Sequence, residues 1–177
     1  MNRSEAPFQT VHGDGDPRFQ QIDWTNWEPR LRATLLFVMH DGRLLLIRKK
    51  RGLGAGKINA PGGRLDPGET PEQCAVRELQ EEVGITARQV DQRGTLSFQF
   101  LDGLSLHVQV FVTREWEGEP RETEEATPLW TPVDQIPYDQ MWEDDRLWLP
   151  QMLAGKRFQG RFLFDQDRLL AHELQVY

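Results

Sequence analysis

From Leu31 onward, apolar residues recur at the spacing of pleated chain, and the runs they form predict strands. Leu31–Met39 and Arg43–Ile47 flank Asp41-Gly42, a hairpin signal because a tight turn needs the positive φ that glycine tolerates. Gln92–Phe100 and Leu104–Thr113 flank Asp102-Gly103 in the same way, and Leu129–Val133, Phe158–Phe164 and Arg168–Tyr177 are further strand candidates. The period changes over residues 70–83. Thr70 is placed to cap a helix, Pro71 takes its first position and Gln73 completes a capping box. Ala75, Leu79 and Val83 recur at i+4 as its buried stripe, and Gly84 stops it. A second helix is expected over Asp144–Leu153. Mixed strands with two helices predict an α+β fold, an α/β/α sandwich around a mixed sheet.

Residues 1–30 stand apart. They are polar and broken by Gly, Pro and Asp, with Trp24 and Trp27 near the end, and read as an extension that these two rings partly order. Residues 31–177 then form a single domain, and Glu115–Thr127, acidic and turn-rich, is expected to be a loop. A net charge of −7 argues against general polynucleotide binding, because nothing offsets repulsion from a phosphate backbone. A small anionic substrate stays compatible if positive charge is local or a metal neutralises it. Cys74 is the only cysteine, so no internal disulfide forms and a reducing cytoplasm is the expected compartment. The Met1–Pro7 stretch shows no leader, and the longest apolar run, Leu35–Met39, is too short for a membrane span.

The 70–84 helix carries Glu78, Glu81 and Glu82 at spacings of three and four, which puts the carboxylates on one face. Helix geometry leaves two meanings open: a solvated acidic face, or a cation site that offsets the repulsion. Oxygen-only ligands suit Mg²⁺ or Mn²⁺ rather than zinc. Context separates the two. Residues 63–85 read Gly63-x5-Glu69-x7-Arg77-Glu78-Leu79-x-Glu81-Glu82-x-Gly84-Ile85, and this resembles the Nudix box at every specified position. The resemblance implies the Nudix fold and divalent-metal pyrophosphohydrolase chemistry. It assigns the carbonyl of Gly62 and the carboxylates of Glu78 and Glu82 to the metal, and gives Glu81 a further ligand or water-activating role. It treats Gly63 and Gly84 as backbone requirements and the Glu69–Arg77 pair as structural. Glu124 and Glu125 lie where related enzymes bring in one more carboxylate; alignment favours Glu125, beside the alternative of a solvated loop charge.

The flanks extend the likeness. Lys49-Lys50-Arg51-Gly52-Leu53-Gly54-Ala55-Gly56-Lys57 with Asn59, the segment 134–150 and Gly155–Gly160 resemble the eukaryotic-type oxidised purine nucleoside triphosphatases, relatives of bacterial MutT. The likeness covers about residues 31–177. It implies a substrate pocket of Thr34, Lys49, Asn59, Phe98, Trp142, Asp144, Asp145 and Trp148, and cleavage of an 8-oxo-dGTP-like substrate to monophosphate and pyrophosphate. Trp142 offers a stacking face, and two adjacent acids repel, so one tends to stay protonated. Asp144-Asp145 also suits a helix N-terminus, and both tryptophans suit plain core. Leu53 departs from the vertebrate pattern, which has phenylalanine there. His12, His40, His107 and His172 show no ligand spacing. Other Nudix substrates (dinucleoside polyphosphates, ADP-ribose, RNA 5′ ends) and a non-catalytic nucleotide sensor are the competing functions. Monomer and homodimer are both compatible with the sequence.

Overall fold

The computed structural model describes residues 9–12 and 15–177; of residues 9–12 only the backbone is described, and the Met1–Pro7 stretch lies outside it. Strands β1 (Gln9–His12), β2 (Leu31–His40), β3 (Arg43–Lys49), β7 (Asp91–Phe100), β8 (Ser105–Thr113), β10 (Ala126–Pro132), β11 (Phe158–Asp165) and β12 (Arg168–Val176) form one mixed sheet in the order β1-β12-β11-β7-β8-β2-β3-β10. Short strands β4 (Ile58–Asn59) and β5 (Gly62–Arg64) pair with β3 and β2. The β11–β7 and β2–β8 pairings are parallel, and the consecutive hairpins are antiparallel. Asp41 and Gly42 both take positive φ, 48° and 70°, which closes the β2–β3 hairpin in two residues as the Asp-Gly signal predicts.

Helix α1 (Pro71–Val83) is capped as the sequence predicts. Thr70 accepts from the Gln73 N–H, the Gln73 side chain accepts from the Thr70 N–H, and Gly84 at φ 76° ends the helix. Its buried Ala75, Leu79 and Val83 pack on Leu36, Val38, Leu45 and Ile47 from one face of the sheet. The opposite parity of β2, Ala33 and Phe37, joins Leu44 and Leu46 in a larger core under helix α2 (Asp145–Leu153), through Trp148, Leu149 and Met152. Period-2 alternation therefore distributes β2 and β3 between two cores, and the α/β/α sandwich expected from sequence is the observed fold.

Two expectations change. The acidic 115–127 segment is not wholly loop: β9 (Trp116–Glu117) pairs with β6 (Thr86–Ala87), and the following strand starts at Ala126 rather than Leu129. Both rest on pairing partners remote in sequence, which local pattern does not encode. The N-terminal segment is more built than polarity suggests. Residues Pro17–Gln21 form a 3₁₀ turn, and Phe19, Ile22 and Trp24 pack on Leu163, Leu170 and Ala171, while β1 pairs with the free edge of β12. This strap covers the β11–β12 end of the sheet, on the face opposite the larger core.

Candidate active site

The site begins where α1 crosses β5. Glu78 and Glu82 are one helical turn apart, and Glu125 enters from the segment leading into β10. One carboxylate oxygen from each lies within 4.8 Å of the others. Thr123 holds Glu125 in place: its hydroxyl donates to the Glu82 carbonyl at 2.7 Å and accepts from the Glu125 N–H at 3.2 Å. Glycine is required below the cluster. A Cβ on Gly63 would stand 2.3 Å from the Glu78 carboxyl, and one on Gly62 would stand 2.0 Å from the Thr34 carbonyl. The Gly62 N–H points at Glu82 Oε2, 3.4 Å away.

The loop before α1 is clamped by Arg77. Its Nε and Nη2 donate to the two Glu69 oxygens at 2.7 and 2.9 Å, Nη2 also reaches the Arg64 carbonyl, and Nη1 donates to Glu78 at 2.8 Å. The Arg77 guanidinium holds the Glu69 carboxyl down to about 2. This is the fork geometry that only arginine supplies, and it fixes the bend that sets Gly62 and Gly63 under the helix. Gly63→Ala is expected to lower activity about 100-fold or more, with a folded far-ultraviolet circular dichroism spectrum, because the methyl displaces Glu78 rather than unfolding the sheet. Measured kcat at saturating metal checks this.

Burial sets the charge of the cluster. Glu82 is pushed up to about 8, first by burial and then by the charge of Glu78, with Lys49 opposing; Glu78 is also raised, again chiefly by burial. A raised carboxylate means that the folded state holds its proton more tightly than the unfolded chain. Its stabilising contribution is full below the ordinary value of 4.5 and lost as pH rises through about 8. Without divalent cation, Tm is therefore expected to fall between about pH 5 and 9, and Mg²⁺ should restore it at the alkaline end. Thermal unfolding across that range, with and without Mg²⁺, is the check; a flat metal-free profile would contradict the buried charge.

The same carboxylates border a cavity of about 530 Å³. Its walls include Phe98, Phe100 and Trp142, the buried acids Asp144 and Asp145, and the basic Lys49 and Arg51. Phe98 stacks on Phe162, and Trp142 meets Phe100 and Phe164 edge-on, so its ring is held from behind. Lys57 lies over the Trp142 ring at 5.1 Å, and a Cβ on Gly54 would come within 2.9 Å of the indole nitrogen. The glycine-rich 51–57 loop thus folds against Trp142. Asp144 Oδ2 accepts from Trp148 Nε1 at 2.8 Å, while Asp144 Oδ1 and Asp145 Oδ2 are buried without a partner. Burial raises both acids, and the neighbouring charge of Asp144 drives Asp145 further up.

The model of the NUDIX domain family matches residues 29–152. The chain belongs to the Nudix family. It is similar to the oxidized purine nucleoside triphosphate hydrolase of Danio rerio, 47% identical over 143 residues, covering 80% of this chain and 92% of that protein. The Mus musculus protein of the same name is 42% identical over 144 residues, covering 80% and 92%. A MutT protein from Bacillus halodurans superposes with a TM-score of 0.73 at 28% identity, covering 81% of this chain and 97% of that one.

The Nudix helix brings Glu78 and Glu82 together but not Glu81. Glu81 is 49% exposed and bonds Arg77 at 3.2 Å, because i+3 from Glu78 falls on the flank of the helix whereas i+4 falls on the same stripe. Glu125 joins the cluster, and its other contact is Arg51 at 2.6 Å. All eight expected pocket residues border the cavity, and two of them also contact other elements. The Thr34 hydroxyl lies under α1, donating to Cys74 Sγ at 3.4 Å, since Thr34 shares the parity of Leu36 and Val38. Trp148 is fully buried, stacked on Phe158, and lines the cavity beside Asp144, to which it donates. Asn59 is at the wall with its Oδ1 accepting from the Ala60 N–H, and Asp144 makes no cap bond to α2, so its side chain is free of that duty. The apolar wall of Leu31, Ala33, Leu35, Leu96, Leu106 and Val108 was not anticipated, although the parity of β2 signals its first three members. Cys74 is buried core as expected, and among the histidines His107 meets Ser97 and His172 stacks on Phe162; the side chain of His12 lies outside the described residues.

Proposed function

We propose that this Nudix protein hydrolyses purine nucleoside triphosphates carrying an oxidised base, giving the monophosphate and pyrophosphate. The observation that carries the reading is one cavity shared by a largely buried tri-carboxylate cluster and a base-sized aromatic wall with two partnerless acid oxygens. The donor set fits a hard divalent cation: three carboxylate oxygens within 4.8 Å, a glycine cradle and a carboxyl forced up by burial. Glu78, Glu82 and Glu125 would hold Mg²⁺ or Mn²⁺ together with the Gly62 carbonyl, and Glu81 stands outside that set. The bound ion neutralises phosphate charge and lowers the pKa of a water.

The protein's own groups do the rest. Lys49 and Arg51 supply local positive charge in a chain of net charge −7, which suits a compact polyphosphate rather than a polynucleotide. Trp142 and Phe98 bracket a planar base, and stacking on such a face contributes about 1–3 kcal/mol. Asp144 Oδ1 accepts from a base edge, and Asp145, held protonated by burial and by its neighbour, donates. A reducing compartment agrees with the single buried Cys74, and no helix among the described residues is long and apolar enough to cross a membrane.

The test is pyrophosphate release from 8-oxo-dGTP, 2-hydroxy-dATP, dGTP, diadenosine tetraphosphate and ADP-ribose with Mg²⁺. A preference of about 10-fold or more for an oxidised purine triphosphate over dGTP is expected. Faster cleavage of the dinucleotide or ADP-ribose would overturn the base assignment while keeping the metal site, and inactivity on all five would leave a nucleotide-binding module.

A further inference from the structure

The N-terminal strap lies outside the matched family region, which starts at residue 29, yet it is wired to the cavity wall. Trp27 Nε1–H donates to Gln99 Oε1 at 2.9 Å. The amide nitrogen of Gln99 then donates to the carbonyls of Phe100 and Leu104, at 3.0 and 3.3 Å. These two residues straddle the β7–β8 turn, and both line the cavity. The Arg30 N–H adds a second tie by donating to the buried Ser105 hydroxyl at 2.9 Å. On the cavity side, Phe100 stands edge-on to Trp142 with ring centres 6.1 Å apart.

Strand parity explains why this route exists. Phe98 and Phe100 point into the cavity core, so Gln99 points to the opposite face, where α1 does not reach and the strap lies. A side chain on that face influences the cavity only through backbone, and Gln99 does this by bonding both carbonyls of its own turn. The strap is itself anchored. Phe19 is buried against Leu163 and Ala171, Trp24 packs on Phe19 and on Trp27, and Arg161 lies over the Trp24 ring. Trp27 is therefore held by packing before it donates its hydrogen bond, which makes the tie pre-organised rather than incidental.

We propose that Trp27, acting through Gln99, is a positioning residue for base recognition: the strap sets the β7–β8 turn and thereby holds Phe100 against Trp142. Its substrate class rests on the oxidised-purine reading above, but the device does not. The discriminating variant is Trp27→Phe, which keeps the ring and removes the N–H. It should raise KM for the preferred purine triphosphate about 3- to 10-fold with kcat nearly unchanged, the loss expected for one partly buried hydrogen bond. Gln99→Met should do the same, and the double variant should be no worse than either single one, since both break one link. Phe19→Leu serves as the control. It loosens the strap's packing and leaves the donor in place, so Tm falls while KM does not move.

Two readouts do not depend on turnover. Hydrogen exchange at the Leu104 amide, which bonds the turn through Asp102 Oδ1, should speed up in Trp27→Phe and Gln99→Met but not in Phe19→Leu. Titration of the variants with purine nucleoside monophosphate should show the same 3- to 10-fold weakening. If none of the oxidised triphosphates is turned over but exchange and nucleotide affinity still shift, the substrate reading has failed and the strap has not. If Trp27→Phe lowers kcat and Tm together at constant KM, or leaves both affinity and exchange unchanged, the strap only stabilises the fold and the proposal falls.

Discussion

Glu82→Gln is expected to lower kcat for triphosphate hydrolysis by about 10²–10³-fold, the largest loss available from a single isosteric change in this protein. The carboxylate is 4% exposed, stands within 4.8 Å of the other two acids and is pushed up to about 8 by burial. Its ionised form has no positive partner close enough to repay that burial: the Gly62 N–H is 3.4 Å away, and Lys49 acts only at longer range. A divalent cation repays it, so the neutral amide forfeits metal affinity and phosphate neutralisation together. The same substitution should move stability the other way. Without metal at pH 9, the variant is expected to melt higher than the unmodified protein, because the amide never has to ionise in the interior. Asp144 and Asp145 titrate in the same direction, so the pH slope of Tm flattens without disappearing. Activity and metal-free melting, measured on one preparation, check both signs. A variant that is inactive but melts lower at pH 9 would mean that Glu82 is structural.

Asp145→Asn should give the largest change in substrate choice. Asp144 spends Oδ2 on the Trp148 indole and keeps Oδ1 free, while Asp145 Oδ2 is also free and is the better site for the proton. The pair thus presents an acceptor beside a donor, and moving one proton reverses the pattern. Under the proposed function, a pocket able to do this would accept more than one oxidised purine. Fixing one position as an amide locks the pattern, and a mismatched hydrogen bond in a buried site costs about 1–3 kcal/mol. The expected outcome is a change of about 10- to 100-fold in the ratio of kcat/KM for 8-oxo-dGTP and 2-hydroxy-dATP. Asp144→Asn should shift the ratio the other way, because its amide oxygen stays on Trp148 and its NH2 turns the base-facing acceptor into a donor. Unchanged ratios in both variants would remove the pair from base recognition.

These two sites differ in how far local sequence reveals them. Most of the proposed metal end is written in a continuous stretch, because helix pitch converts the spacing of Glu78 and Glu82 into proximity and the Gly62-Gly63 pair must sit beneath them, while Glu125 comes from a remote segment. The capping box, the Gly84 stop and the Asp-Gly turn are likewise local, and each appears where the residues demand. Glu81 shows the limit of that reasoning. Its spacing of three from Glu78 is also a spacing of four from Arg77, and a guanidinium already committed to Glu69 bonds it.

The base pocket depended on contacts between elements far apart in the chain. Thr34 and Trp148 border the cavity as the resemblance implies, but strand parity also turns the Thr34 hydroxyl beneath α1, and packing on Phe37 and Phe158 buries the indole. The N-terminal strap shows the same limit. Its polarity and its two tryptophans read as a partly ordered extension, and only the tertiary fold reveals that β11 and β12 leave a sheet face uncovered by α1, where Phe19 is buried and Trp24 packs beside it. Residue order decides conformations governed by neighbours within about one turn or one strand pair, since backbone geometry and capping act at that range. Which face borders a cavity, which acid loses its water and which ring stays accessible follow from burial, a property of the assembled sheet and helices rather than of any segment.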